Sequence, residues 1–266
     1  MPTGGDAGRM SRQALRMRRD ALTAAAEGGI AILPTGSLEQ HGRHLPVGTD
    51  SLLAAAVSTE AADRAAESGV ETVVFPTIWT GFSPHHVPLG GTVTIGKETM
   101  LALLEDVCSS IAEMGFDRIL MVNGHGGNGP ITSLVAGELG VELEGVEVAE
   151  ITYFSLADEV AGDVRVGEPG SAYHAGEFET SLMLYLHAEL VDLDAAVDDP
   201  VTPLSPYSPR DMFDGGPLGT RRTYDRMTED GARGEPTLAR AETGEKLFEA
   251  ICAELAAVLV AVEGLE

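Results

Sequence analysis

Three polar clusters in this chain carry side chains able to hold a cation or move a proton, and each follows a short apolar run. The first runs from Gly36 to Asp50 and contains Glu39, His41, His44 and Asp50. Glu39 and His41 are two apart, so on extended backbone both side chains leave the same face. Asp50 follows a Pro46/Gly48 turn at the start of a helix-like stretch. The second cluster, Asn123 to Asn128, holds His125 as its one strong metal ligand among glycines and asparagines. The third, Tyr173 to Ser181, holds His174, Glu177 and Glu179. Glu39, His41, Asp50 and His125 together form a nitrogen and oxygen ligand set without thiolate, which suits zinc, manganese or iron. A carboxylate can bridge two cations, and Asp50 is the natural bridge. Two metals ~3.5–4 Å apart can share a hydroxide and polarise a carbonyl, an arrangement suited to hydrolysing stable amides.

Blander roles exist for each residue. Asp50 alone reads best as a helix cap, and His41 or His125 alone as a hydrogen-bonded histidine. The glycine-rich loop around His125 resembles a phosphate cradle, but it lacks both the G-x-G-x-x-G spacing and a following lysine. What favours a site is the joint occurrence of the three clusters at the ends of apolar runs.

Those runs define the elements that must position the clusters. Buried strands are expected at 29–34, 70–75, 118–122 and 146–153, and helices at 50–68, 97–114, 129–139, 177–187 and 241–262. Met100, Leu104, Val107, Ile111 and Met114 recur at helical spacing, and Leu247, Phe248, Ile251, Leu255, Val258 and Leu259 form the stripe of the last helix. Strands alternating with helices imply right-handed crossovers. The expected fold class is α/β, a single three-layer domain over 1–266 with a mostly parallel sheet flanked by helices. Ligands bind at the carboxyl ends of such strands, where the three clusters fall. Residues 200–236, rich in Pro, Gly and Arg, read as a long functional or contact loop, and 1–12 as a flexible end.

Forty-two acidic residues against seventeen basic ones give a formal net charge of −25. That charge opposes phosphate backbones and anionic membranes, so neither nucleic acid nor membrane is an expected partner. Only Lys97 and Lys246 are lysines; the acidic, lysine-poor composition fits either a high-salt cytoplasm or a high-GC genome. No stretch approaches the ~18 apolar residues of a membrane span. Cys108 and Cys252 read as buried free thiols, and the expected location is cytoplasmic.

The motifs resemble the creatininase (creatinine amidohydrolase) family. The likeness runs through Leu33 to Gly42, Leu45 to Asp50, Asn123 to Asn128 and His174 to Ser181, and more weakly through Ser83 to His86 and Gly234 to Pro236 with Gly244. The resemblance implies a hydrolase of carbon–nitrogen bonds with two divalent metal ions per subunit, usually a hexamer built from dimers. Carried over by position, Glu39 and His125 would bind one metal, His41 the other and Asp50 both, while His174 would move protons. Creatininase proper has a glutamate ligand where this chain has Gly127. Glu177 is the expected replacement ligand, with Glu179 standing behind a histidine to orient its ring. Creatininase also packs its substrate with tryptophans, whereas the single tryptophan here is Trp79, far upstream. His86 and Tyr173 are expected to contact substrate, and Arg43 stands where many relatives have proline. The expected reaction is attack by metal-bound hydroxide on a non-peptide or cyclic amide or formamide. Within the family a formamidopyrimidine or peptide substrate is favoured over creatinine. A dinuclear phosphoesterase and a non-catalytic nucleotide-binding oligomer are the alternatives.

Overall fold

The computed structural model describes residues 12–220 and 222–265. Apart from Arg12, the end expected to be flexible lies outside the described residues. Four parallel strands form one sheet: β1 (Ile30–Thr35), β2 (Thr72–Val74), β3 (Arg118–Asn123) and β4 (Glu147–Thr152), in the order β2-β1-β3-β4. β1 pairs along its whole length with β3, from Ile30 opposite Arg118 to Thr35 opposite Asn123. It is buried on both faces, as expected of a central parallel strand that reads as a continuous apolar run.

The period of two along β1 and β3 divides the core into halves. Ile30, Ile32, Leu120 and Val122 face α2 (Thr49–Glu67) and, later in the chain, α6 (Glu177–Leu186) and α7 (Ala241–Glu263). Ala31, Leu33, Ile119 and Met121 face α3 (Lys97–Glu113) and α4 (Gly129–Glu142), with α1 (Arg19–Ala26) on the same side. Helix, sheet, helix: the three layers are those read from the sequence.

Two helices were not expected, α1 and the short α5 (Asp158–Val164). The polar start of the chain hid the alanine run of α1, and α5 spans less than two full turns. The expected strand at 70–75 shortens to three residues, while the other strands and the expected helices shift by a few residues at most at either end.

The strand order sets the place of the site. From β1 the chain crosses to β2 on one side, whereas β3 lies on the other side of β1. The connections therefore diverge above the carboxyl ends of β1 and β3, where such sheets open a crevice. The first cluster leaves β1 there and the second leaves β3.

Candidate metal centre

Asp50 occupies the first turn of α2 but caps nothing: the cap position is Gly48, and no side-chain capping bond forms. Its carboxylate turns instead to the histidines. Oδ1 lies 3.0 Å from His41 Nε2 and Oδ2 lies 3.3 Å from His125 Nδ1. A helix N-terminus also favours an anion electrostatically. Gly124 brings the two strand ends together, since a Cβ there would sit 2.7 Å from the Asp50 carbonyl oxygen. Only glycine allows the β3 loop to lie so close to the first turn of α2.

Around Asp50 two sets of three ligands converge, each with its donor atoms within 4.8 Å of one another. One is Glu39, Asp50 and His125; the other is His41, Asp50 and Glu179. Glu39, His41 and His174 form a third, overlapping group. Glu39 Oε1 has three histidine nitrogens nearby: His125 Nδ1 and His86 Nε2 at 3.2 Å, and His174 Nδ1 at 3.7 Å. Yet both Glu39 oxygens and Asp50 Oδ2 are buried without a hydrogen bond. Buried carboxylate oxygens left in this state are costly. Nitrogens gathered at ion-pair distance but out of hydrogen-bond line are what a cation between them requires, so the residues fit divalent metal.

The far nitrogens of three rings fix which atom faces inward. His41 Nδ1 is 3.0 Å from the Glu39 carbonyl, His174 Nε2 is 2.7 Å from the Gln40 carbonyl, and His125 Nε2 is 3.0 Å from Ser83 Oγ and 3.3 Å from the Phe82 carbonyl. A carbonyl only accepts, so each far nitrogen carries a hydrogen, and the other ring nitrogen is the one turned to the cluster. His86 differs. The Gly42 N–H donates to Gln40 Oε1, and Gln40 Nε2 donates to the Gly231 carbonyl and, at 2.8 Å, to His86 Nδ1. His86 Nδ1 therefore accepts, and its N–H is on Nε2, 3.2 Å from Glu39 Oε1 but out of hydrogen-bond line. Among the described residues His86 belongs to none of the three ligand groups.

The electrostatics describe a cation-seeking pocket. Burial disfavours a charged His41, but the Asp50 charge and hydrogen bond outweigh it and raise its pKa to about 10. The same contest, won by Glu39 and Asp50, raises His125. Burial pushes Glu179 up to about 7 against the pull of His41. Burial and the His41 charge lower His174 to about 3, leaving a neutral ring.

The third cluster departs from expectation. Among the described residues Glu177 joins none of the ligand groups: its carboxylate accepts the Val166 and Gly167 N–H groups and the Ser171 hydroxyl, away from the other candidates. Glu179 faces the cluster instead, with Oε1 3.9 Å from His41 Nε2 and Oε2 accepting the Ala175 N–H. Gly127 explains the family departure. A Cβ there would lie 2.3 Å from His125 Nε2, the ring edge turned away from Glu39 and Asp50. Of the residues expected at the substrate, Tyr173 lines the cavity above the cluster, whereas His86 is buried in its floor.

Sequence reasoning missed Gln40, whose side chain holds His86 and whose carbonyl holds His174, and Tyr224, whose ring stacks on His86 with centroids 4.0 Å apart. It named His44 but gave it no role; the ring is buried against Thr180. Only the glutamine beside Glu39 and His41 offered a signal; Tyr224 begins a single 3-10 turn, Tyr224–Arg226, in the 200–236 loop, where the sequence has no sustained period.

The creatininase family model, described as creatinine amidohydrolase, matches residues 16–259. The mycofactocin precursor peptide peptidase of Mycolicibacterium smegmatis is 34% identical over 220 residues, covering 82% of this chain and 79% of that protein. The creatinine amidohydrolase of Pseudomonas putida is 30% identical over 246 residues, covering 86% and 88%. A Bacteroides fragilis structure described as a creatinine amidohydrolase superposes with a TM-score of 0.83 at 28% identity, over 97% of this chain and 98% of that one. A manganese form of creatininase gives 0.77 at 26% identity, over 96% and 99%. The chain belongs to the creatininase family of carbon–nitrogen hydrolases.

Proposed function

We propose that this chain is a two-metal amidohydrolase that opens an amide, formamide or peptide C–N bond above Asp50. One observation carries the reading: the two oxygens of Asp50 face different ligand sets, with Glu39 and His125 on one side and His41 and Glu179 on the other. Zinc, manganese or iron suits these donors. Divalent cations so held would polarise a carbonyl and acidify water.

The chain's own residues supply the rest. His174 lines the cavity with its Nδ1 lone pair inward and its Nε2 hydrogen tied to the Gln40 carbonyl. A neutral imidazole so held can take a proton from attacking water and return it to the leaving nitrogen. Phe154, Met212 and Met227 offer apolar walls, and no tryptophan lines the cavity. This lining supports an amide other than creatinine, in keeping with the likeness to a peptide peptidase. The same proposal takes 1–266 as one catalytic domain of a cytoplasmic homo-oligomer, a hexamer by family resemblance.

The test is metal analysis of purified protein beside turnover on formamides, cyclic ureides and short peptides. Asp50→Ala should lose both metals, and His174→Ala should keep them while turnover falls by ~10²–10⁴-fold. Full metal content in folded Asp50→Ala protein refutes the bridge, and a His174→Ala protein without metal makes that histidine a ligand.

A further inference from the structure

Above the metal centre lies a cavity of about 220 Å³. Its floor is acidic, with Glu39, Asp50 and Glu179, and among the described residues its lining has one arginine or lysine, Arg222. Thr220, Arg222 and Tyr224, alternate residues of the long loop, all line the same cavity. Tyr224 anchors that edge of the loop. It is buried, donates its N–H to the His85 carbonyl at 2.8 Å and stacks on His86.

Arg222 stands out by what it leaves undone. On neighbouring loops Arg43 pairs with Asp230, Arg165 with Asp211 and Arg210 with Asp214. Asp225, Glu229 and Asp230 are close to Arg222 in sequence, yet it forms no ion pair with any described residue. In a chain of net charge −25, an exposed arginine free of acids and aimed at a cavity is a local exception to the surrounding field. Charges beyond ~8–10 Å are screened at ordinary salt, so the guanidinium decides what happens at contact. Its planar fork matches a carboxylate better than any neutral group.

We propose that Arg222 selects substrates in which the amide to be cleaved carries a free carboxylate, as at the C-terminal residue of a peptide or in an N-acylated amino acid. The carboxylate sits on Arg222 at the mouth, the apolar body lies against Phe154 and Met212, and the amide reaches the floor. This rests on the hydrolase reading above, so the test separates the two.

N-acetylated dipeptides and their C-terminal carboxamides are compared as substrates of the metal-loaded protein and its Arg222→Ala variant. The parent should favour the free acids by about 10- to 100-fold in kcat/KM, chiefly through KM, the range of one charge-assisted pair. In Arg222→Ala that ratio should collapse towards one, and Arg222→Lys should restore part of it. A ratio near one in the parent, or the same ratio in Arg222→Ala, overturns the proposal. Binding of N-acetyl-phenylalanine and its carboxamide to metal-free protein is titrated in parallel. Without metal on the floor, whatever preference for the acid Arg222→Ala removes belongs to the mouth. If no dipeptide is hydrolysed, the failure belongs to the hydrolase reading and the titration decides. A preference for the acid that Arg222→Ala abolishes upholds the proposal; no preference, or no binding of either, overturns it.

Discussion

Glu177 and Glu179 sit two residues apart with opposite duties, and exchanging each for glutamine should separate them. Glu177 accepts three hydrogen bonds, from the Val166 and Gly167 N–H groups and the Ser171 hydroxyl. Glutamine keeps one oxygen and turns an NH₂ group at a donor. One buried donor is then stranded, at about 1–3 kcal/mol, and the remaining bonds lose their charge assistance, for about 2–4 kcal/mol in all. A chain of this size should lose roughly 5–15 °C in Tm while keeping two metals. Glu179 is the reverse. Its pKa of about 7 in the metal-free protein means that a neutral isostere is nearly tolerated, and glutamine can still accept the Ala175 N–H. Metal-free Glu179→Gln should therefore melt within a few degrees of the parent but bind one metal instead of two. Its stabilisation by metal should shrink accordingly, by ~2.7 kcal/mol if the lost site was filled at a hundred times its Kd. The assays are elemental analysis after dialysis and melting with and without chelator. Two metals retained in Glu179→Gln, or metal lost from a Glu177→Gln protein of unchanged Tm, would refute the assignment.

Gln40→Glu should keep two metals yet lose roughly 10–100-fold in kcat, because the new oxygen cannot donate to His86 Nδ1 or the Gly231 carbonyl and reverses the His86 tautomer. Unchanged kcat would remove Gln40 from the positioning of the site. Burial and the His41 charge hold His44 at about 4, below its unfolded value, so the unfolded chain binds the extra proton. The parent should lose stability as pH falls from about 6.5 towards 4, roughly 2 kcal/mol of it by pH 5. Denaturant titrations of metal-free parent and His44→Gln between pH 7 and 5 should diverge by that amount; parallel slopes would show that His44 is not buried neutral.

Much of the site was legible because its parts are local. Glu39 and His41 share a strand end with Asp50 nine residues on, and His125 sits on a loop of glycines after an apolar strand. The fold followed from the same apolar runs. Glu179 was misplaced for a physical reason. Glu177 lies three residues after His174, a spacing that would put both on one side of a helical turn, but α6 begins only at Glu177. Before it, Ala175 takes a left-handed φ of 51° and Gly176 is extended. For alanine that conformation is strained, and the bond from its N–H to Glu179 Oε2 holds it there. That turn rotates His174 and Glu179 to one side and Glu177 to the other. Tyr224 and Gly231 reach Gln40 and His86 across more than a hundred residues of chain, a separation that no local pattern records.

Glu39, Gln40 and His41 show how three consecutive residues can organise the whole centre. The side chains at 39 and 41 are ligand candidates, and the one at 40 binds His86 and Gly231. The carbonyls work too. That of Glu39 sets the tautomer of His41, and that of Gln40 sets the tautomer of His174. Backbone carbonyls on a segment anchored to the sheet cannot swing away as side-chain acceptors can, so the inward nitrogens of both rings are aimed before any cation arrives. Preorganisation of this kind keeps reorientation of the rings out of the cost of binding metal and substrate. Gly231 completes the clamp. A Cβ there would lie 1.9 Å from Gln40 Oε1, so the loop that carries Tyr224 can close over Gln40 only with glycine at that point. Substitution at Gly231 should therefore act on His86 and His174 through Gln40, at a distance from the metals themselves.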